Sequence, residues 1–177
     1  KVKFEYQVKS LQQKSEEAYK GMIFIKNDKY KLFLMGNQIY FNGTDMAVYS
    51  PEMQEVTISD VDTADRSSLN PADLFTMYNE GFKYRLLEHT DEDKSEAIDK
   101  YIIDLVPEKP AEKSYSRIIL IIDKQDMQIS SMKYYGKNGS RYRVDITDVE
   151  TNVTIPDSMF SFDAGKFPDI DVIDLRQ

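Results

Sequence analysis

The chain has 177 residues, and its 31 Asp and Glu outnumber 23 Lys and Arg, which gives a formal net charge of −8 at pH 7. The length suits one domain, predicted over residues 1–177, and a hydrophobic content of 41% excludes a disordered chain. The acidic charge argues against nucleic acid as a partner, and no apolar run is long enough to predict stable insertion into a membrane.

The predicted elements begin with a series of short strands that are separated by turn-forming pairs. The turn signals are Asn27-Asp28, Gly36-Asn37, Asn42-Gly43 and Ser50-Pro51. The predicted strands are Val2–Lys9, Tyr19–Lys26, Tyr30–Met35, Gln38–Phe41, Met46–Tyr49 and Met53–Ile58.

One short helix is predicted next, over residues 70–78. Asn70 caps its first turn and Pro71 suits its first helical position. The helical spacing then places four apolar side chains together, which are Leu74, Phe75, Met77 and Tyr78.

A second series of strands follows the helix. The predicted strands are Phe82–Leu87, Tyr101–Val106, Arg117–Ile122, Met127–Tyr134 and Arg141–Glu150. A turn is predicted at Pro156–Met159, before a short strand over Phe160–Phe162. Consecutive strands with short connections predict a mainly β, antiparallel meander.

A meander of about 11 strands does not stay flat, because strand twist makes large sheets curl or close. Several strands carry apolar residues on one parity, such as Tyr30, Leu32 and Leu34. A strongly curved sheet gathers such a face into an apolar cavity that one short helix hardly fills. A packed β-sandwich explains the same pattern, and the pattern alone leaves both interpretations open.

The motifs of common enzymes are absent from the sequence. Cys is absent, so no thiolate or disulfide is available, and the one His, His89, lies in an acidic stretch typical of a solvated loop. Carboxylate pairs such as Asp60/Asp62 and Glu92/Asp93 arise by chance in so acidic a chain. We therefore predict no enzymatic activity, no cofactor and no metal site.

An ordered set of segments along nearly the whole chain resembles the LolA-type outer-membrane lipoprotein carriers. The resembling segments are Gly21–Leu32, Ile39–Tyr49, Pro71–Tyr78, Leu105–Pro107, Ile118–Asp123 and Ile129–Met132, followed by Gly139, Tyr142, Asn152, Asp157, Phe160 and Phe162.

The resemblance implies an incomplete, strongly curved antiparallel β-barrel that helices cover on one side. Its apolar cavity would take the acyl chains of a lipoprotein from an inner-membrane release complex. The carrier, a periplasmic chaperone and a monomer, would then deliver them to an outer-membrane acceptor. Its leader would have been cleaved and would not be part of this chain. A periplasmic lipid- or protein-sensing scaffold of the same fold, without cargo transfer, is the alternative.

The resemblance and the strand parity together nominate lipid-binding residues, each of which is alternatively an ordinary core residue. The predicted cavity wall comprises Phe24, Tyr30, Leu32, Leu34, Tyr40, Met46 and Val48, and the predicted lid face comprises Leu74, Phe75, Met77 and Tyr78.

Two departures from the family are expected. The chain opens directly on a strand, so the family's N-terminal helix is expected to be missing. The best-known members also have an Arg that ties down the lid, and Lys26 or Asn27 stands at its position as the predicted lid anchor.

Overall fold

The computed structural model describes residues 1–9, 16–60, 81–89 and 99–176. Its strands in chain order are β1 (Val2–Lys9), β2 (Glu16–Lys26), β3 (Lys29–Leu34), β4 (Asn37–Phe41), β5 (Asp45–Ser50), β6 (Glu55–Asp60), β7 (Phe82–Leu87), β8 (Lys100–Pro107), β9 (Tyr115–Asp123), β10 (Ile129–Gly136), β11 (Arg141–Val149) and β12 (Asp171–Asp174). The helical elements in these ranges are single 3-10 turns at Pro110–Glu112, Asp157–Phe160 and Ala164–Lys166.

The strands form one sheet in the order β12-β6-β5-β4-β3-β2-β1-β11-β10-β9-β8-β7. Two meanders, β1–β6 and β7–β11, meet where β1 lies beside β11, and β12 adds to β6 in the parallel direction. The order has two ends, so the sheet does not close on itself. This confirms the predicted fold class. The chain is mainly β, and its largely antiparallel sheet forms an incomplete barrel.

Local backbone chemistry explains the early hairpins. The β2–β3 turn contains Asn27 at φ 55°, and the β3–β4 turn places Met35 at φ 53° and Gly36 at φ 80°. Positive φ at both central residues of the β3–β4 turn is the type I′ geometry, whose twist matches that of the flanking strands. Gly and Asn adopt positive φ readily, so the sequence signals for these turns have a direct physical cause.

The turn, the short strand and the helix that were predicted outside the two meanders have different outcomes. The turn at Pro156–Met159 is confirmed by the 3-10 turn Asp157–Phe160, whereas the predicted strand Phe160–Phe162 is wrong because Phe160 belongs to that turn. Strand β12 was not predicted. The predicted helix over 70–78 lies outside the described residues. Among the helices of the described ranges, none is long and apolar enough to cross a membrane.

Contacts group the described residues into two compact units. Unit 1 contains residues 1–3, 20–60 and 148–176, and unit 2 contains residues 4–9, 16–19, 81–89 and 99–147. The assignment of residues 1–177 to a single domain stays a prediction.

Candidate functional site

One face of the sheet in unit 1 is apolar across four strands. Antiparallel partners point to the same face, and the register produces two continuous rows. The rows are Ile23–Leu32–Ile39–Val48 and Ile25–Tyr30–Phe41–Met46, with Leu34 at the end of β3. These nine residues are called the apolar face of unit 1.

Burial across the apolar face of unit 1 changes from strand to strand. Ile23 and Leu32 on β2 and β3 are fully buried. By contrast, the side chains on β4 and β5 are only half-buried, and these are Ile39, Phe41, Met46 and Val48. The outer half of the face therefore keeps hydrocarbon surface accessible to an apolar ligand.

The opposite face of the same strands is a packed core. Tyr40, Ala47, Tyr49 and Val56 form a buried cluster, against which the C-terminal side chains Phe162, Phe167 and Ile170 pack. The ring of Phe162 lies 5.5 Å from that of Tyr40, 5.3 Å from that of Tyr49 and 5.1 Å from that of Phe167. This face is occupied by the protein's own aromatic side chains.

The structure divides the predicted cavity wall between these two faces. Tyr30, Leu32, Leu34, Met46 and Val48 lie on the apolar face of unit 1. Phe24 and Tyr40 lie on the opposite face, because their cross-strand partner is Lys31 and the Tyr40 ring packs there against Phe162. The lipid-binding role of all seven residues stays a prediction. The predicted lid face, which comprises Leu74, Phe75, Met77 and Tyr78, lies outside the described residues.

Lys26, a predicted lid anchor, holds the C-terminal segment. Its Nζ donates to the carbonyl oxygen of Ile155 at 3.0 Å and to Asp157 Oδ1 at 2.6 Å, and Lys29 Nζ donates to Asp157 Oδ2 at 3.0 Å. The hydrogen bonds from Lys26 and Lys29 lower the pKa of the Asp157 carboxyl. Asn27 lies in the β2–β3 turn, and the anchoring of a lid by Lys26 or Asn27 stays a prediction.

Unit 2 has an apolar face of its own that the sequence interpretation did not place. Its rows are Tyr84–Leu105–Ile118–Tyr134–Tyr142 and Leu86–Ile103–Leu120–Met132–Val144. Leu105, Ile118 and Met132 are buried, whereas Tyr84 and Leu86 on β7 are 57% and 68% exposed. In the sequence, Tyr84 and Leu86 alternate with basic residues along β7, and this alternation was the signal that could have indicated an apolar face here.

A row of neighbouring aromatic rings runs along this face of unit 2. The centroid distances are 6.2 Å for Phe82–Tyr115, 4.9 Å for Tyr115–Tyr134, 5.5 Å for Tyr134–Tyr142 and 6.1 Å for Tyr142–Tyr6. Burial raises the pKa of the Tyr6 and Tyr134 hydroxyls, so both remain neutral at ordinary pH. The row contributes aromatic packing surface.

Acidic side chains do not assemble into an evident metal centre in the described part of the chain. No group of three or more His, Asp or Glu residues there has the arrangement to hold a metal ion. Of the carboxylate pairs considered from sequence, Asp62, Glu92 and Asp93 lie outside the described residues.

Comparison with protein families identifies the class to which this fold belongs. The model of the outer membrane lipoprotein carrier protein LolA matches residues 35–163, which is more than half of the chain. The chain is therefore a member of the LolA family. A comparison with curated protein sequences finds no match.

The chain is also similar to several solved structures. An uncharacterized conserved protein from Thermus thermophilus has a TM-score of 0.51 at 11% identity, covering 98% of this chain and 90% of its own. A LolA superfamily protein from Nitrosomonas europaea has a TM-score of 0.47 at 14% identity, covering 91% and 89%. A putative outer membrane lipoprotein-sorting protein domain from Vibrio parahaemolyticus has a TM-score of 0.46 at 10% identity, covering 90% and 87%.

Proposed function

We propose that this chain is a periplasmic carrier that shelters the acyl chains of lipoproteins and moves them from the inner to the outer membrane. Membership of the LolA family supports the class of function. The observation that carries the proposal is the apolar face of unit 1, whose two rows leave Ile39, Phe41, Met46 and Val48 half-buried.

The physical need for such a carrier follows from the exposure of hydrocarbon to water. Each buried methylene is worth about 0.8 kcal/mol, so one long acyl chain amounts to on the order of 10 kcal/mol of unfavourable exposure. A carrier must cover that surface and later release it. Apolar contact without directional bonds meets both demands because it does not fix one ligand shape.

The side chains of the apolar face of unit 1 suit this task. Met46 is flexible and polarizable, and therefore adapts to irregular apolar partners. Tyr30 and Phe41, whose ring centroids lie 5.3 Å apart, provide a broad aromatic surface beside the aliphatic row. In this proposal the predicted lid face of residues 74–78 covers the bound chain, and no covalent step takes place.

The proposal names two partners besides the acyl chains. An inner-membrane complex releases the lipoprotein to the carrier, and an outer-membrane acceptor receives it. The carrier passes between them as a monomer without stable insertion into either membrane.

A fluorescent fatty acid tests the site. Val48→Asp places a carboxylate on the apolar face of unit 1, so we expect affinity to fall by about tenfold or more, because a charged group must be desolvated by the ligand. Phe24→Asp is the matched control, since Phe24 is also half-buried but lies on the opposite face. Its affinity should stay within about threefold of the wild type.

Two outcomes contradict the site assignment. One is unchanged binding by a Val48→Asp variant whose circular dichroism and thermal midpoint are those of the wild type. The other is an equal loss of binding in Phe24→Asp, which would show that the effect does not belong to the apolar face of unit 1.

Delivery distinguishes a carrier from a protein that only binds. Inner-membrane vesicles that contain a radiolabelled lipoprotein are incubated with the chain, and outer-membrane vesicles are then added. The proposal requires the lipoprotein to appear first in the soluble fraction and then in the outer-membrane vesicles. Binding of the fatty acid without delivery would contradict carriage and indicate the alternative, a lipid- or protein-sensing domain.

A further inference from the structure

Three methionine residues are exposed to solvent at turns between consecutive strands. Met35 is 53% exposed, Met53 is 74% exposed and Met127 is 65% exposed. Met35 lies between β3 and β4, Met53 lies between β5 and β6, and Met127 lies between β9 and β10. Among the methionines that the structure describes, these are the exposed ones. They are called the turn methionines.

The backbone at two of these turns disfavours methionine. Met35 has a φ of 53° and Met127 has a φ of 59°, which places both in the left-handed region. Gly, Asn and Asp are the usual residues there, because Gly lacks a Cβ and the short polar side chains bond to the nearby backbone. The thioether of methionine is only a weak acceptor. Local conformation therefore does not explain why methionine stands at these positions.

The turn hydrogen bonds do not explain the turn methionines either. The amide of Gln54 donates to the carbonyl oxygen of Pro51 at 3.4 Å, and the amide of Met127 donates to the carbonyl oxygen of Asp123 at 3.0 Å. Both bonds join backbone atoms, so they form equally well with another side chain at position 53 or 127. An apolar side chain that stays in water also adds little to the hydrophobic stabilisation of the fold.

The thioether offers a chemistry that no aliphatic side chain shares. The chain contains no Cys, so methionine supplies all of its sulfur. Hypochlorous acid donates an oxygen atom to methionine and converts it to the sulfoxide. An S–O bond forms, the O–Cl bond breaks and sulfur loses two electrons, while chloride and a proton are released. Exposure governs which sites react first, and reductases return the sulfoxide to methionine.

The position of a methionine determines the effect of its oxidation. The sulfoxide is polar, so at the turn methionines it forms in water and disturbs no packing. Met132 is only 1% exposed, and Met46 is a half-buried member of the apolar face of unit 1. A sulfoxide at Met132 would disrupt the core, and a sulfoxide at Met46 would place a polar group on that face. The most accessible sites are thus the ones whose oxidation does least harm.

We propose that the turn methionines are sacrificial oxidation sites, which consume oxidants of the hypochlorous acid class before Met46 and Met132 react. The exposure of all three residues, together with the left-handed backbone of Met35 and Met127, is the observation on which the proposal rests. The proposal goes beyond acyl-chain carriage and does not depend on it, because the oxidation of each methionine is measured directly.

The experiment compares the wild type with a triple variant that lacks the turn methionines. Met35→Asn and Met127→Asn suit the left-handed backbone, and Met53→Gln keeps a side chain of similar length. Each folded chain receives about three equivalents of hypochlorous acid, and peptide mass spectrometry then measures the sulfoxide at every methionine. In the wild type we expect the turn methionines to be oxidised at least about threefold more than Met46. In the triple variant we expect the oxidation of Met46 to rise by about threefold or more.

A double variant provides the matched control. Met22 and Met159 are half-buried, so Met22→Leu with Met159→Leu removes two methionines without touching the turns. In this control the oxidation of Met46 should stay within about 1.5-fold of the wild type, because the exposed sites still consume the oxidant. Circular dichroism before the addition of oxidant verifies that both variants are folded.

Three outcomes would overturn the proposal. The first is oxidation of Met46 or Met132 in the wild type to the same extent as the turn methionines. The second is a folded triple variant in which Met46 is oxidised no more than in the wild type. The third is an equal rise of Met46 oxidation in the triple variant and in the control. The order of oxidation in the wild type decides the matter even if a variant fails to fold.

Discussion

Removal of the Arg85 guanidinium should destabilise the chain far more than the loss of an ordinary surface ion pair. Arg85 Nη2 on β7 donates to Asp104 Oδ2 on β8 at 2.6 Å. The Arg85 side chain is 65% exposed, whereas that of Asp104 is 0% exposed. Asp104 Oδ1 is buried and accepts no hydrogen bond from the described residues. The carboxylate therefore depends on Arg85 for much of its compensation.

The size of the effect follows from this asymmetry. Breaking a fully buried ion pair costs about 3–5 kcal/mol, because the remaining charge stays desolvated. Arg85 is largely exposed, so water can replace part of its contribution, and we expect Arg85→Ala to cost about 2–3 kcal/mol. An exposed pair such as Lys109–Glu112 is worth only about 0.2–1 kcal/mol.

Urea unfolding of four variants measures these differences. Arg85→Ala should lower the free energy of unfolding as stated, and Lys109→Ala should change it little. Adding Asp104→Leu to Arg85→Ala should restore stability to within about 1 kcal/mol of the wild type, since no buried charge remains. Asp104→Leu alone completes the double-mutant cycle. If Arg85→Ala costs no more than Lys109→Ala, or if the double variant is as unstable as Arg85→Ala, the reasoning is refuted.

Two further changes concern the C-terminal segment of unit 1. Hydrogen bonds from Lys26 and Lys29 hold the pKa of Asp157 below its usual 3.8, so the stability it contributes is present above that value and is lost as the pH falls through the folded-state pKa. The decrease in the thermal unfolding midpoint caused by Asp157→Asn should therefore vanish on acidification. A decrease that is the same at every pH would contradict the contribution of these hydrogen bonds to stability. Phe160 is fully buried, so Phe160→Ala should cost about 3–5 kcal/mol by urea unfolding. Met159→Ala, at a half-buried neighbour, should cost much less, and equal losses would contradict the packing.

Most strands were predictable from sequence because the turns between them have a local cause. Asn27 and Gly36 adopt the positive φ that short hairpins require, and such preferences are visible in the residues themselves. Strand β12 was not predictable in this way. Asp171–Asp174 is short and has an Asp at each end, and it is a strand only because β6 offers its edge.

Side-chain direction was predictable where one face of a strand is apolar and failed where both faces are. Tyr30, Leu32 and Leu34 alternate with Lys29, Lys31 and one apolar residue, Phe33, and their shared face was correctly inferred. In β2 and β4 both faces carry apolar residues. The alternation of side chains therefore does not indicate which face is covered by other parts of the chain. The fact that Tyr40 meets Phe162 depends on a segment more than a hundred residues away.

Strand β12 also affects how copies of the chain can meet. It pairs along β6 from the amide of Asp171, which donates to Gln54 O at 2.9 Å, to that of Leu175, which donates to Ile58 O at 2.8 Å. The side of β6 that would otherwise offer a template for intermolecular strand addition is thus occupied by the chain itself. The outer edge of the sheet at that end is a four-residue strand with exposed acidic side chains at both ends. A short, charged edge strand disfavours pairing with a strand from another copy.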